Sequence, residues 1–116
     1  MSGFKDAGAR DRRVTIEQLT ESLGESSFPV EAWTTLAKCW MEVTPLSGRE
    51  QFQQHQIQAA ADTRFEMPYR ADMDPERHNI PKVRRLNYQG RTFDIVSAAQ
   101  SGRREGIDIM AISRVG

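Results

Sequence analysis

The sequence lacks nearly everything that announces a particular chemistry. It has a single cysteine, Cys39, so no disulfide can form within the chain, and the composition suits a reducing compartment. A buried, inert thiol is the expected state of Cys39, because a catalytic cysteine needs a positioned base and a recognisable surround. Histidine occurs only as His55 and His78, and neither has the neighbours or spacing of a zinc site. The eight glycines never fall into G-x-x-x-x-G-K-[ST] or a related phosphate-binding pattern. No catalytic residue, metal ligand or cofactor is therefore expected.

Long hydrophobic runs are missing as well. The longest apolar stretch, Ile109 to Ile112, is far too short to span a bilayer, and the first residues show no apolar core of signal-peptide length. A soluble, unexported chain is expected, with no membrane partner. Net charge is also absent: sixteen Lys and Arg offset sixteen Asp and Glu, so the strong positive field that favours tight nucleic-acid binding is not there. The balance is uneven, since residues 81–116 hold seven bases and three acids. A basic face is expected on that third of the chain.

What is present describes one modest domain. A chain of 116 residues with 38% hydrophobic content can bury a single core, and partner contacts are expected to add to its stability. Residues 1–12 are rich in small and charged residues and are read as an arm; residues 13–116 are read as the folded unit. Val14 and Ile16 alternate with Thr15 and Glu17, which predicts a strand from Arg13 to Leu19. Thr20 to Pro29 breaks the alternation and is read as a long loop, with Trp33 pinning its far end to the core. Leu36 to Val43 is read as a strand that stops at Pro45, although its composition tolerates a helix. Trp33 and Trp40 are both assigned to internal packing rather than to an interface.

Ser47-Gly48-Arg49-Glu50 fits a capping box, in which Ser47 caps the Glu50 amide and the Glu50 carboxylate returns to Ser47. A helix over about 47–61 follows, with Phe52, Ile57, Ala59 and Ala60 among five glutamines. So weak an apolar stripe predicts light packing or a partner-facing surface. Phe65, Met67 and Tyr69 alternate with charged residues in a strand whose Pro68 points to an edge or bulge. An irregular stretch follows through Pro75 and Pro81. Val83 to Tyr88 and Thr92 to Val96 flank Gln89-Gly90 and predict a hairpin. After a turn over Gly102 to Gly106, Ile107, Ile109 and Ala111 mark a final strand. The fold class that follows is mainly β with one inserted α-helix (α+β), closed as a small antiparallel β-barrel, since closure removes exposed edges.

Two groups invite chemistry and fail the test. Asp72, Asp74, Glu76 and His78 alternate like cation ligands, but a calcium loop starting at Asp72 needs glycine where Arg77 stands and glutamate where Val83 stands. An acidic, solvated loop is the better reading. The bases around Tyr88 and Phe93 suit a nucleic-acid-binding barrel, yet Phe93 is in period with Ile95 and belongs to the core.

The segment Trp40-Met41-Glu42-Val43-Thr44-Pro45-Leu46-Ser47-Gly48-Arg49-Glu50 resembles the W-x-x-V-x-P-x-S-G-x-E stretch of phage head-tail joining proteins, also called head-closure or stopper proteins. Arg85 to Ile95 is similar to that family's hairpin, with Gly90, Phe93 and Ile95 at its fixed positions. The resemblance runs from about Arg13 to Val115 in element order and departs from the family at Pro68 and in the acidic loop after it. It implies a structural, non-enzymatic subunit in a tailed phage, prophage or gene-transfer-type particle. Such subunits form a homo-oligomeric ring at the neck of the virion, on the portal and adaptor proteins, after assembly in the host cytoplasm. The ring closes the channel, lets double-stranded DNA pass without specific binding, and presents a docking surface to tail proteins. Trp40, Val43, Pro45, Gly48, Glu50, Gly90, Phe93 and Ile95 are then residues of shape. Ser47, Arg49, Glu50, Gln53, Gln54 and Gln56 are the candidate subunit or partner contacts, because a glutamine-rich surface hydrogen-bonds well across an interface. Another neck or tail-completion ring protein and a small nucleic-acid-binding barrel are the alternatives.

Overall fold

The computed structural model describes residues 11–23, 29–46 and 61–114, with Ser22 and Leu23 described for backbone only. Six strands close into an antiparallel barrel in the cyclic order β1-β2-β3-β6-β5-β4. They are β1 (Arg12–Leu23), β2 (Pro29–Pro45), β3 (Thr63–Pro68), β4 (Arg84–Tyr88), β5 (Arg91–Ser101) and β6 (Gly106–Ser113). Between β3 and β4 lie a 3-10 turn (Ala71–Met73) and one short helix, α1 (Ile80–Val83). The barrel is mainly β, as its alternating sequence requires. The expected helix at 47–61 lies outside the described residues except for Ala61, which stands in irregular backbone just ahead of β3.

The alternation read from the sequence is the alternation of burial. Val14 and Ile16 on β1, Phe65 and Met67 on β3, Leu86 on β4, Phe93 and Ile95 on β5, and Ile107, Ile109 and Ala111 on β6 all face inward. Phe65 is the centre of this core, packing edge-on against Phe93 at 5.1 Å and Tyr88 at 6.2 Å between ring centroids. Met73 and Ile80, from the segment read as irregular, are also fully buried and add to the core. The 3-10 turn and α1 thus form a cap over the barrel end where β3 finishes and β4 begins, and α1 packs on β4 and β5.

Two expectations about the first half change. Thr20 to Leu23 is not loop but a continuation of β1, and β2 starts already at Pro29; of the loop expected over 20–29, residues 24–28 lie outside the described residues. Leu19 stands opposite Trp33 and Leu23 opposite Pro29 in an unbroken antiparallel ladder. Only Thr15 to Gln18 of β1 also pair with β4, and only Glu42 to Pro45 of β2 pair with β3. The far half of the pair is therefore a two-stranded ribbon that leaves the barrel. A 17-residue strand at about 3.3 Å per residue is about 56 Å long, which matches the 57 Å long dimension of the molecule against 28 and 27 Å across. Pro68 ends β3 opposite Gly106 on β6 and has no partner on β2, which pairs only with Thr63 to Glu66, so proline stands at a locally open edge, as its missing amide hydrogen favours.

A bulge sets the orientation of the ribbon. Ile16 pairs with Ala37 and Glu17 with Thr35, which leaves Leu36 as the extra residue on β2. Such an insertion reverses the in-out phase of everything beyond it and sharpens the twist. In the β4–β5 hairpin both central residues have positive φ, Gln89 at 54° and Gly90 at 78°, as a type I′ turn requires. Glycine takes that conformation freely, whereas glutamine pays for it. Gln89→Asn should raise stability by about 0.5 kcal/mol, because asparagine tolerates the left-handed region. Urea melts of the two proteins measure the difference, and an unchanged midpoint would show the turn to be indifferent.

Candidate functional site

The barrel has two unlike ends. At one end, β2 finishes and β3 begins with their backbones tied: the Leu46 amide donates to the Asp62 carbonyl at 2.9 Å, and the Asp62 amide donates to Ala111 at 2.9 Å. The Asp62 carboxylate accepts from the Ser113 hydroxyl and the Thr63 hydroxyl, both at 2.9 Å. A cleft of about 450 Å³ opens here between Arg12, Arg91 and Gln89 on its rim and Val43, Tyr88 and Phe93 deeper in. Pro45 lines it too. Leu46 and Asp62, on either side of the 47–60 segment, are thus tied together beside this mouth.

At the other end the cap is held by Asp74, whose side chain is only 2% exposed. It accepts from the Tyr69 hydroxyl at 2.6 Å, the Gln100 amide at 2.9 Å and the Glu76 backbone amide at 2.9 Å. These donors, Tyr69 first, hold its carboxyl below the ordinary 3.8. The same bond pushes the Tyr69 phenol upward. Asp72 forms a two-pronged pair with Arg70 at 2.8 and 2.9 Å, which lowers its own pKa. Arg84 is buried and donates to the carbonyls of Asp72 and Val83. Asp72 and Asp74 are therefore structural ties rather than an acidic solvated loop, while Glu76 and His78 are exposed. Among the described residues no group of three or more His, Cys, Asp and Glu is placed to hold a metal.

The outer wall carries what the sequence reading assigned to the core. Trp40 is 52% exposed, with the Arg13 guanidinium 5.2 Å from its ring centroid. Trp33 is half-buried beneath Arg85 at 4.5 Å, and Arg85 also pairs with Glu17 at 2.6 Å. In-register pairing explains Trp40: its neighbours Met41 and Cys39 point inward, so it points out. Cys39 is half-buried against the core, and burial is the main reason its thiol is pushed up. Phe93 is buried, as expected, and Tyr88 is half-buried in the same ring cluster.

Of the other residues singled out from the sequence, Val43 packs against the core, Ile95 is within it, and Gly90 forms the hairpin turn. Ser47, Gly48, Arg49, Glu50, Gln53, Gln54 and Gln56 lie outside the described residues. What the sequence reading missed is a row of carboxylates: Glu42 pairs opposite Glu66, and Glu66 opposite Asp108, on three adjacent strands. Each alternates with buried apolar neighbours, so its outward direction was readable. The register that brings the three together was not.

The fold has known counterparts. The protein SF1141 from Shigella flexneri 2a, solved in solution, superposes with a TM-score of 0.72 at 19% identity, covering 94% of this chain and 96% of that one. A chain from the virion of a native gene transfer agent particle superposes with a TM-score of 0.56 at 18% identity, covering 91% and 96%. No curated protein sequence matches. At such identities the likeness establishes the barrel and its order of strands, and the family comes from the sequence itself. Residues 5–114 match the family described as phage head completion protein, which takes in both tied barrel ends and all six strands, and the chain belongs to that family.

Proposed function

We propose that this chain is the head-closure subunit of a tailed-phage or gene-transfer-type particle, assembled as a ring at the neck. In this reading the ring sits on the portal and adaptor after packaging, narrows or seals the channel, and gives the tail its docking surface. The observation that carries it is the head completion match over residues 5–114. The shared fold with a chain of a gene transfer agent virion supports a place in a particle. The architecture is consistent with mechanical work: a closed, capped barrel bears load, while a ribbon at one end and a cleft at the other offer separate surfaces to partners above and below. Net neutrality suits a channel wall, because a lumen that gripped phosphates would retard DNA exit. No bond making is assigned to the chain.

The segment with Ser47, Arg49, Glu50, Gln53, Gln54 and Gln56 is proposed as a contact with a neighbouring subunit or partner, since Leu46 and Asp62, which flank it in the chain, are tied together at the mouth of the barrel. The direct test is deletion of the gene from the genome that encodes it. Heads should still fill with DNA but lose it and remain untailed, with infectious or transducing titre restored by the gene supplied in trans. Stable, tailed, DNA-filled particles made without this chain would refute the reading, as would imaging of purified wild-type particles with no copy of it at the neck.

A further inference from the structure

We infer that the ribbon of β1 and β2 is a strand-pairing element, which joins its outer β2 edge to the outer β1 edge of the ribbon on the next copy of this chain. The inference rests on the ring reading and assigns that ring its contact.

The ribbon has two bare edges. On β1 only Thr15 to Gln18 pair with β4, and on β2 only Glu42 to Pro45 pair with β3. Leu19 to Leu23 and Pro29 to Met41 therefore have a neighbouring strand on one side alone among the described residues. Alternate amides and carbonyls of a strand point to its outer side, so each edge presents a row of backbone donors and acceptors to whatever lies beside it. Edges that stay solitary are kept short or are guarded by charge, above all lysine, by proline or by a bulge. Here the bulge at Leu36 and Lys38 both lie towards the barrel, and from Val30 to Thr35 the β2 edge has only Glu31 as a guard. Val30 is 48% exposed on this stretch. A two-stranded ribbon is marginal in water by itself, and a further strand on its edge is what stabilises it.

A second copy supplies that strand. The two bare edges belong to different strands that run antiparallel. With the ribbons set along the ring axis, copies related by rotation keep the sense of each strand, so β2 of one copy meets β1 of the next in the antiparallel pairing already used within the ribbon. The contact is heterologous, and repeated around a ring it closes the ribbons into one cylinder with no edge left open. The bare run of β2 is longer than that of β1, which leaves room for the stagger a closed sheet needs. Residues 18–36 contain no base, and Glu21 stands opposite Glu31, so backbone pairing rather than charge attraction drives the contact.

The test traps the pairing with cysteines. In a Cys39→Ala background, one copy carries Thr20→Cys and the other Val30→Cys, Ala32→Cys or Thr34→Cys. These positions share one face of the ribbon, since Ser22 pairs with Val30, Thr20 with Ala32 and Gln18 with Thr34. Adjacent strands hold such Cβ atoms about 4.5–5.5 Å apart, near enough for a disulfide to form with a small shift. Both variants are expressed together in a genome lacking the native gene, and the purified particles are treated with a thiol oxidant. A linked dimer is expected for at least one of the three pairs and from neither variant as sole copy; no chain holds two cysteines, so the link lies between copies. Parental titre before oxidation shows that the variants fold.

Glu31→Pro and Ala32→Pro test the edge without cysteines. Consecutive amides point to opposite sides of β2, so one of the two removes an outer-edge donor. That variant should lower the titre at least roughly 100-fold, because the lost hydrogen bond recurs at every contact of the ring. The purified chain should still melt with the parent, since no residue of the buried core lies between Glu17 and Trp40 among the described residues. A ring of this chain seen at the neck with no linked dimer from any pair, or normal titre from both proline variants, overturns this inference and leaves the ring reading intact. Wild-type particles with no such ring overturn the ring reading itself.

Discussion

Phe65→Ala should cost about 3–5 kcal/mol. Phe65 is fully buried on β3, in the strand that joins the β2 side of the barrel to the β6 side, and it makes edge contacts with both Phe93 and Tyr88. Truncation removes the transfer free energy of the ring, leaves a cavity, and takes away an aromatic pair on each side, each worth about 0.5–1.5 kcal/mol beyond its area. Closure makes collapse into the void expensive, because every flanking strand is hydrogen-bonded on both sides. For a domain of this size the melting temperature should fall by roughly 10–20 °C. Phe65→Leu, which keeps most of the volume, should cost about 1–2 kcal/mol. Urea melts with an unchanged slope test this; equal losses for both variants would mean that the cavity is not the cause.

Acid should loosen the cap before the rest of the barrel. The carboxyls of Asp74 and Asp72 are both held below the ordinary 3.8, Asp74 chiefly by the Tyr69 hydroxyl and Asp72 chiefly by Arg70. A carboxyl with a lower pKa in the folded state than in the unfolded chain stabilises fully above the unfolded value. That contribution is lost as the pH falls below about 3.8 through the lowered folded value. Melting temperature should therefore be flat from neutral pH down to about 5 and fall steeply beneath 4. Asp74→Asn keeps the shape but has no proton to gain, so it should melt lower than the parent at pH 7 and show a shallower acid limb. The measurement is a series of thermal melts from pH 7 to pH 3, and parallel limbs in the two proteins would remove Asp74 as the origin.

The legible part of this molecule is the part where one strand face is buried and the other is wet. Val14 and Ile16, Phe65 and Met67, and Ile107, Ile109 and Ala111 each announced a strand by alternation, and Gln89-Gly90 announced the reversal between β4 and β5. The ribbon was illegible for the complementary reason. Beyond the barrel Glu21 and Pro29 to Ala32 are exposed whichever way they point, so no alternation of polarity is needed to hold them in a strand. The bulge at Leu36 then shifts the phase, so that a periodic reading carried from one half of β2 to the other goes out of step. Met73 and Ile80 are buried singly from a turn and a one-turn helix, elements too short to have a period. Trp40 was assigned inward on size alone, and only its pairing opposite Arg13, between inward neighbours, places it outside. The acidic row failed for a different reason: its members are 24 and 42 residues apart in sequence, by subtraction of their numbers, and nothing local encodes the strand register that aligns them.

The tie between the Leu46 amide and the Asp62 carbonyl separates the integrity of the barrel from the length of whatever joins β2 to β3. Because the two ends are already clasped, doubling the intervening chain costs only about 0.6 kcal/mol of closure entropy. The connection can therefore change in length while the six-strand frame stays as it is, and an epitope or fluorophore tag placed there should be carried without loss of the fold.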